Sequence, residues 1–202
     1  KSVQLTRTKN YLFAYSDPSK FVFLKEPNIE HPSGEEIYRI LKGTHPTHKL
    51  SEMHHWVMQA RYFRNRIWHY KNRVLPALAK GLNVISDRSW ASMSYGVKSP
   101  SEFEPLLAIE EQAFQGADVP FVKPDRILVF DVTAGTAKER MEKSGKEPDE
   151  FEKDLDFQMR VRENYLEFAR RYPSCVVIDG SGTPEEVFKE TKKVVLEVLG
   201  LS

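Results

Sequence analysis

The sequence predicts an α/β fold, a parallel sheet with helices on both faces. Two observations carry this. Four short runs, "FVFL" (21–24), "NVISD" (83–87), "RILVFD" (126–131) and "CVVID" (175–179), are rich in Val, Ile and Phe and show no polar alternation. That is how strands buried on both faces of a parallel sheet read. Long stretches with helical periodicity lie between them, and strands alternating with helices point to a parallel sheet.

The elements follow in order. "KSVQLTRTKNYL" opens the chain with an amphipathic pattern at Val3, Leu5, Tyr11 and Leu12. The first strand runs into Lys25, Glu26 and Pro27. A long helix is expected from Ser51 to about Leu75, with Met53, Trp56, Val57, Ala60, Phe63 and Ile67 forming its apolar face. The strand at 83–87 ends in Asp87 and Arg88. The last helix begins at a capping box, Thr183 with Glu186, has Pro184 at its first position, and is expected to end at Gly200.

Composition narrows the function. The 202 residues fit one domain or at most two small ones. With 30 Lys and Arg against 29 Asp and Glu, a long polyanion is not the default partner, whereas a small anion in a local basic pocket is compatible. The single cysteine, Cys175, forms no disulfide within the chain and suits a reducing cytoplasm. No apolar run approaches the ~18 residues that span a bilayer, and the N-terminal residues lack the apolar stretch of a signal peptide. Cys175 opens a strand and reads as a core residue. His45, His48, His54 and His55 lie close in sequence, but no cysteine is near and a metal site there is disfavoured.

Open α/β sheets bind ligands at the carboxyl ends of their strands. An Asp and an Arg side by side at such an end, Asp87 and Arg88, suit a metal-bound water and a phosphate, or an ion pair stitching a loop. Lys1-Ser2 leading into a helix matches the last two letters of a phosphate-binding loop, G-x-x-x-x-G-K-[ST].

Taken together, these segments resemble the thymidylate kinase family. "KSVQLTRTKNYL", "LKEPNIEHPSGEEIYR" (24–39), "RVLPALAKGLNVISDRS" (73–89), "KPDRILVFDV" (123–132) and "DEFEKDLDFQMRVRENYLEFA" (149–169) are similar to family segments in the same order along essentially the whole chain. The resemblance implies a single three-layer P-loop domain over 1–202, with a five-stranded parallel sheet and a lid near 142–153. Its first, central strand would precede Lys1, on roughly 15 to 20 further residues.

By the same resemblance, the chain would be a cytoplasmic, homodimeric enzyme that moves the γ-phosphoryl of ATP to dTMP with Mg²⁺, without nucleic acid or membrane partners. Trp56 and its apolar neighbours suit the dimer contact. Lys1 would contact the donor phosphates, Ser2 and Asp87 would hold the metal, Arg88 would grip the acceptor phosphate, and Arg140 would lie against the adenine. Pro27, Tyr62, Arg66, Ser92, Tyr95 and Tyr165 would line the acceptor side. Tyr62 and Arg66, spaced i and i+4, share a helical face, so one can stack on the base while the other hydrogen-bonds its edge or reaches the phosphate. The Gly180 to Thr183 turn would border the adenine.

The chain also departs from the family. The lid carries Glu142, Lys143 and Glu150 where relatives carry arginines, so Lys143, Lys146 or the phosphate loop must neutralise charge instead. "DRS" stands for "DRY", "EPNI" for "EPGG", and Tyr95 falls one residue early. These changes leave room for another acceptor, or for a non-catalytic nucleotide-binding module.

Overall fold

The computed structural model of the chain describes residues 2–144 and 154–201. In chain order its elements are α1 (Ser2–Tyr15), β1 (Phe21–Lys25), α2 (Pro32–Leu41), α3 (His55–His69), α4 (Leu75–Ala79), β2 (Asn83–Asp87), α5 (Phe103–Gly116), β3 (Ile127–Asp131), α6 (Ala134–Ser144), α7 (Leu155–Arg171), β4 (Cys175–Asp179) and α8 (Pro184–Leu199). All four strands stand where the apolar runs predict them. They form two parallel pairs: β1 with β2, with Lys25 opposite Asp87, and β3 with β4, with Asp131 opposite Asp179.

The strands are less buried than expected for a sheet covered on both faces. Only Phe21, Asp87, Ile127, Val129 and Ile178 are buried within them. Among the described residues each sheet has two strands, so each strand has an edge with no backbone partner there.

The chain divides into two compact units, Lys1–Ser16 with Pro124–Ser202, and Asp17–Lys123. In the unit Asp17–Lys123, α3 does not stop at a conventional cap. It passes through a wider π-helical turn, Tyr70–Val74, into α4. Pro76 explains the turn. Proline has no N–H, and its ring crowds the carbonyl four residues earlier, that of Asn72. One wide turn relieves the crowding and keeps the helix running. Tyr70 and Val74 then pack with Phe114 and Val119 as a core cluster.

In the other unit, α1 packs along α8. Gln4 Nε2 donates to the Pro184 carbonyl (3.0 Å), Arg7 pairs with Glu185, and the Tyr11 and Phe188 rings meet edge to face at 6.2 Å. The start and end of α8 are as expected. Thr183 and Glu186 cap each other, and Gly200 closes the helix at φ 62°, a conformation that favours glycine. Gly180 follows β4 with its N–H on the Asp131 carbonyl at 2.7 Å. A Cβ there would stand 3.0 Å from that carbonyl and 2.8 Å from Val132.

The long helix differs from expectation in which face it buries. Val57 and Ala60 are exposed, whereas Met58, Gln59, Phe63, Asn65, Arg66 and His69 are buried. The buried stripe is mostly polar: Asn65, Arg66 and His69 find partners in the loop after β1, in Ser33, in Glu110 and in the Ser89 carbonyl.

Candidate active site at the carboxyl ends of β1 and β2

The ends of β1 and β2 carry a dense, buried polar network. The Glu26 N–H donates to the Asp87 carbonyl (3.0 Å), which ties the two strand ends together beyond the sheet. The Glu26–Pro27 peptide is cis, and Pro27 is buried.

Asn28, one of the departures from the family pattern, is the hub of the following turn. Its N–H donates to Asn65 Oδ1 (2.7 Å), and its carbonyl accepts from Asn65 Nδ2 (3.0 Å). Its Oδ1 accepts from the Glu30 N–H (2.7 Å), and its Nδ2 donates to His69 Nδ1 (2.9 Å). That bond leaves the proton of the neutral His69 ring on Nε2, which is buried with no partner among the described residues. Burial holds His69 below the ordinary imidazole range. Asn65 also donates to Ser33 Oγ (2.9 Å). Gly34 lets α2 approach this turn, since a Cβ there would fall 1.8 Å from the Asn28 carbonyl oxygen.

Arg66 sits at the centre, 3% exposed. Its Nε donates to Glu26 Oε2 (2.7 Å), its Nη1 to Glu110 Oε1, and its Nη2 to the Ser89 carbonyl (3.2 Å). Burial disfavours its charge, but Glu110 and Glu26 outweigh that and raise its pKa, so it stays protonated. One cation between two carboxylates leaves a net negative charge. Burial accordingly pushes Glu110 above the ordinary carboxylate range, although Arg66 pulls the other way. Burial and Glu26 push the Tyr70 phenol up in the same manner.

Beyond β2 the chain turns sharply. Arg88 has φ 80°, the left-handed region that a bulky residue rarely enters. Its side chain is exposed. Asp87, one residue earlier, is buried. Ser92 and Tyr95 are half-buried on the short turn Trp90–Tyr95. Gly96 ends that turn against the Gln59 side chain, where a Cβ would fall 1.8 Å from Nε2. Tyr62 is half-buried beside Ile37, Ile40 and Met58.

The structure therefore brings Pro27, Arg66, Asp87 and Arg88 to adjoining strand ends, with Tyr62, Ser92 and Tyr95 in the same unit. It places Ser2, Arg140 and Tyr165 in the other unit. Ser2 is exposed at the first position of α1. Arg140 donates to the carbonyls of Ser181 (2.7 Å) and Gly182 (2.8 Å), and to that of Gly180, so it meets the turn that sequence assigns to the same adenine border. Tyr165 is half-buried on α7. Lys1, Lys146 and Glu150 lie outside the described residues, as does most of the expected lid.

Among the histidines, His54 caps α3 by accepting from the Trp56 N–H (3.3 Å), and His55 pairs with Glu102 (3.0 Å). Glu36, His45 and His48 bring their ligand atoms within 4.8 Å. Glu36 is already paired with Arg61, and His45 Nδ1 accepts from the Thr47 and His48 N–H groups (3.3 and 3.1 Å). The two bonds to His45 close the turn 45–48. Burial pushes the Cys175 thiol up to about 11, which suits a core residue better than a nucleophile.

Sequence reading missed Glu110, Asn28, Asn65 and His69. One signal was available. Tyr62, Asn65, Arg66 and His69 recur at three- and four-residue spacing, a polar stripe along one face of a helix in an otherwise half-apolar segment.

Comparison with known proteins identifies the family. The family model described as thymidylate kinase matches residues 1–191. The chain is 36% identical over 181 residues to a probable thymidylate kinase of Methanosarcina mazei, which covers 88% of this chain and 82% of that protein. It is 34% identical over 204 residues to a thymidylate kinase of Symbiobacterium thermophilum, covering 98% of this chain and 88% of that protein. The match to a thymidylate kinase of Francisella tularensis subsp. holarctica is 31% identical over 131 residues, and spans 63% of this chain and 60% of that relative. The chain belongs to the thymidylate kinase family.

Proposed function

We propose that this chain is an ATP-dependent kinase that moves the γ-phosphoryl group of ATP to dTMP, giving dTDP for nucleotide biosynthesis. The observation that carries this reading is Asp87-Arg88 at the end of β2, in a family member: a buried carboxylate beside an exposed guanidinium held at a left-handed turn. Phosphoryl transfer needs placement and charge neutralisation more than covalent chemistry from the protein. A guanidinium fork matches phosphate oxygens with paired hydrogen bonds, so Arg88 takes the acceptor phosphate.

Tyr62 stacks on the base, Pro27, Ser92, Tyr95 and Tyr165 complete the acceptor side, and Arg66, enclosed by Glu26, Glu110 and the Ser89 carbonyl, backs that side without touching the ligand. Lys1 reaches the donor phosphates, and Arg140, anchored on the Gly180–Gly182 carbonyls, flanks the adenine. The Ser2 hydroxyl and the Asp87 carboxylate are hard oxygen donors of the kind Mg²⁺ prefers, and they would hold the ion. When bound, it neutralises phosphate charge.

The finer architecture belongs to the same proposal: one domain over 1–202, and a five-stranded parallel sheet. So do a cytoplasmic location and a homodimer, the latter supported by Val57, 48% exposed beside Trp56 on α3. Among the described residues no helix is long and apolar enough to cross a membrane.

The test is a coupled assay of ADP formation. ADP should accumulate from ATP only when dTMP is present, and Arg88→Ala should abolish it. A thermal-shift panel of monophosphates identifies the acceptor, because only a true ligand stabilises the fold strongly. Full-length protein that forms no ADP with dTMP or any other monophosphate would point instead to a non-catalytic nucleotide-binding module.

A further inference from the structure

We infer that Glu110 is a positioning residue for acceptor-phosphate binding: with Glu26 it clamps Arg66 against the Ser89 carbonyl, and that clamp holds the left-handed turn that presents Arg88. The inference rests on the functional reading above.

Three observations carry it. First, Arg66 is not open to a ligand. It is 3% exposed, and its Nε, Nη1 and Nη2 each already donate to a protein acceptor. Second, those acceptors come from three different elements. Glu26 follows β1, Ser89 follows β2, and Glu110 lies on α5, fully buried. Third, the clamped carbonyl belongs to the residue directly after Arg88, whose φ of 80° is costly for a side chain of that size. A strained backbone persists only where its surroundings over-determine it. The Arg66 to Ser89 bond on one side and the Glu26 N–H to Asp87 carbonyl bond (3.0 Å) on the other bracket the strained residue.

The role of Glu110 follows from charge. Glu26 alone would satisfy Arg66 from the β1 side. Glu110 draws the opposite edge of the guanidinium towards α5, so the fork is pinned from both ends. Its second oxygen, Oε2, has no hydrogen-bond partner among the described residues, and its Oε1 accepts from Arg66.

The effect should therefore appear in the grip on the phosphate and leave the base alone. Calorimetry of full-length protein with dTMP and with thymidine separates the two. Glu110→Gln keeps the volume and removes the charge. It should weaken dTMP about tenfold, the size expected for coupled neighbouring side chains, and leave thymidine affinity and the KM for ATP unchanged. Glu110→Asp should restore part of the loss. In an Arg88→Ala background, Glu110→Gln should add nothing, since the group it positions is gone.

Equal weakening of dTMP and thymidine would overturn the inference, as would independent, additive losses in the double variant. Wild-type protein that shows no preference for dTMP over thymidine would overturn the functional reading, and the inference with it. A wild-type preference that survives Glu110→Gln would overturn the positioning role alone.

Discussion

Two strand pairs of the same length and direction end in very different chemistry. At the ends of β1 and β2, Glu26, Arg66, Asp87 and Glu110 are buried, and their partners come from neighbouring helices and turns. At the ends of β3 and β4, the acids stay near water. Asp131 takes a two-pronged bond from Arg162 (2.6 and 2.8 Å), whose side chain is 40% exposed, and Asp179 accepts from the Ser181 N–H (2.8 Å). The backbone pattern alone does not mark a site. The difference lies in the desolvated charge: a group of ions is kept out of water only where their mutual geometry is over-determined, and that is where a strained residue such as Arg88 can be held.

Removing the cation is the strongest way to break this contrast. Arg66→Met would leave Glu26 and Glu110 facing each other in the interior, and should cost about 3–5 kcal/mol in urea unfolding. The matching change at the other pair, Arg162→Ala, should cost less than about 1 kcal/mol, because water replaces the lost bonds. Similar losses for the two variants would show that the clamp carries no special weight.

Next in size is Gly34→Ala. Its Cβ would meet the Asn28 carbonyl oxygen at 1.8 Å, so backbone must move, at about 1–3 kcal/mol. Gly135→Ala on α6 meets nothing nearer than 3.8 Å and should be neutral or stabilising by about 0.5 kcal/mol. A Gly34→Ala protein as stable as wild type would mean that α2 can part from the Asn28 turn.

The gentlest test is pH. The folded protein holds His69 below its ordinary value near 6.5 because burial disfavours the charged ring. The unfolded chain therefore takes up that proton first. The stability it contributes is complete above about pH 6.5 and is lost as pH falls towards the depressed folded value. Glu110 works in the opposite sense. Its raised folded value gives stability that is complete at low pH and is lost as pH rises through the carboxylate range towards that value. On acidification from pH 7 to 5, His69 lowers the denaturation midpoint while Glu110 raises it, so His69→Gln should move the slope towards greater stability at low pH. An unchanged slope would assign the dependence to other groups.

How much of this was readable beforehand varies by element. The strands at 83–87 and 175–179 and the α8 cap were legible because their signals are local: a β-branched run, or a Thr-Pro-x-Glu start with glycine at the end. Asp87 and Arg88 were legible as neighbours at a strand end. The buried face of α3 was not, because apolar periodicity ranks Val57 and Ala60 above Asn65, Arg66 and His69. Glu110 was invisible for the same reason, since a glutamate on a helix normally faces water.

By itself, the sequence determined which segments become strand or helix and in what order, and it carried the family pattern, since each rests on residues close together along the chain. Only the tertiary structure decided that Arg66 is enclosed by two carboxylates and a carbonyl. The burial of a charge depends on partners from 23 to 44 positions away, and their convergence is settled by packing, which no local pattern encodes.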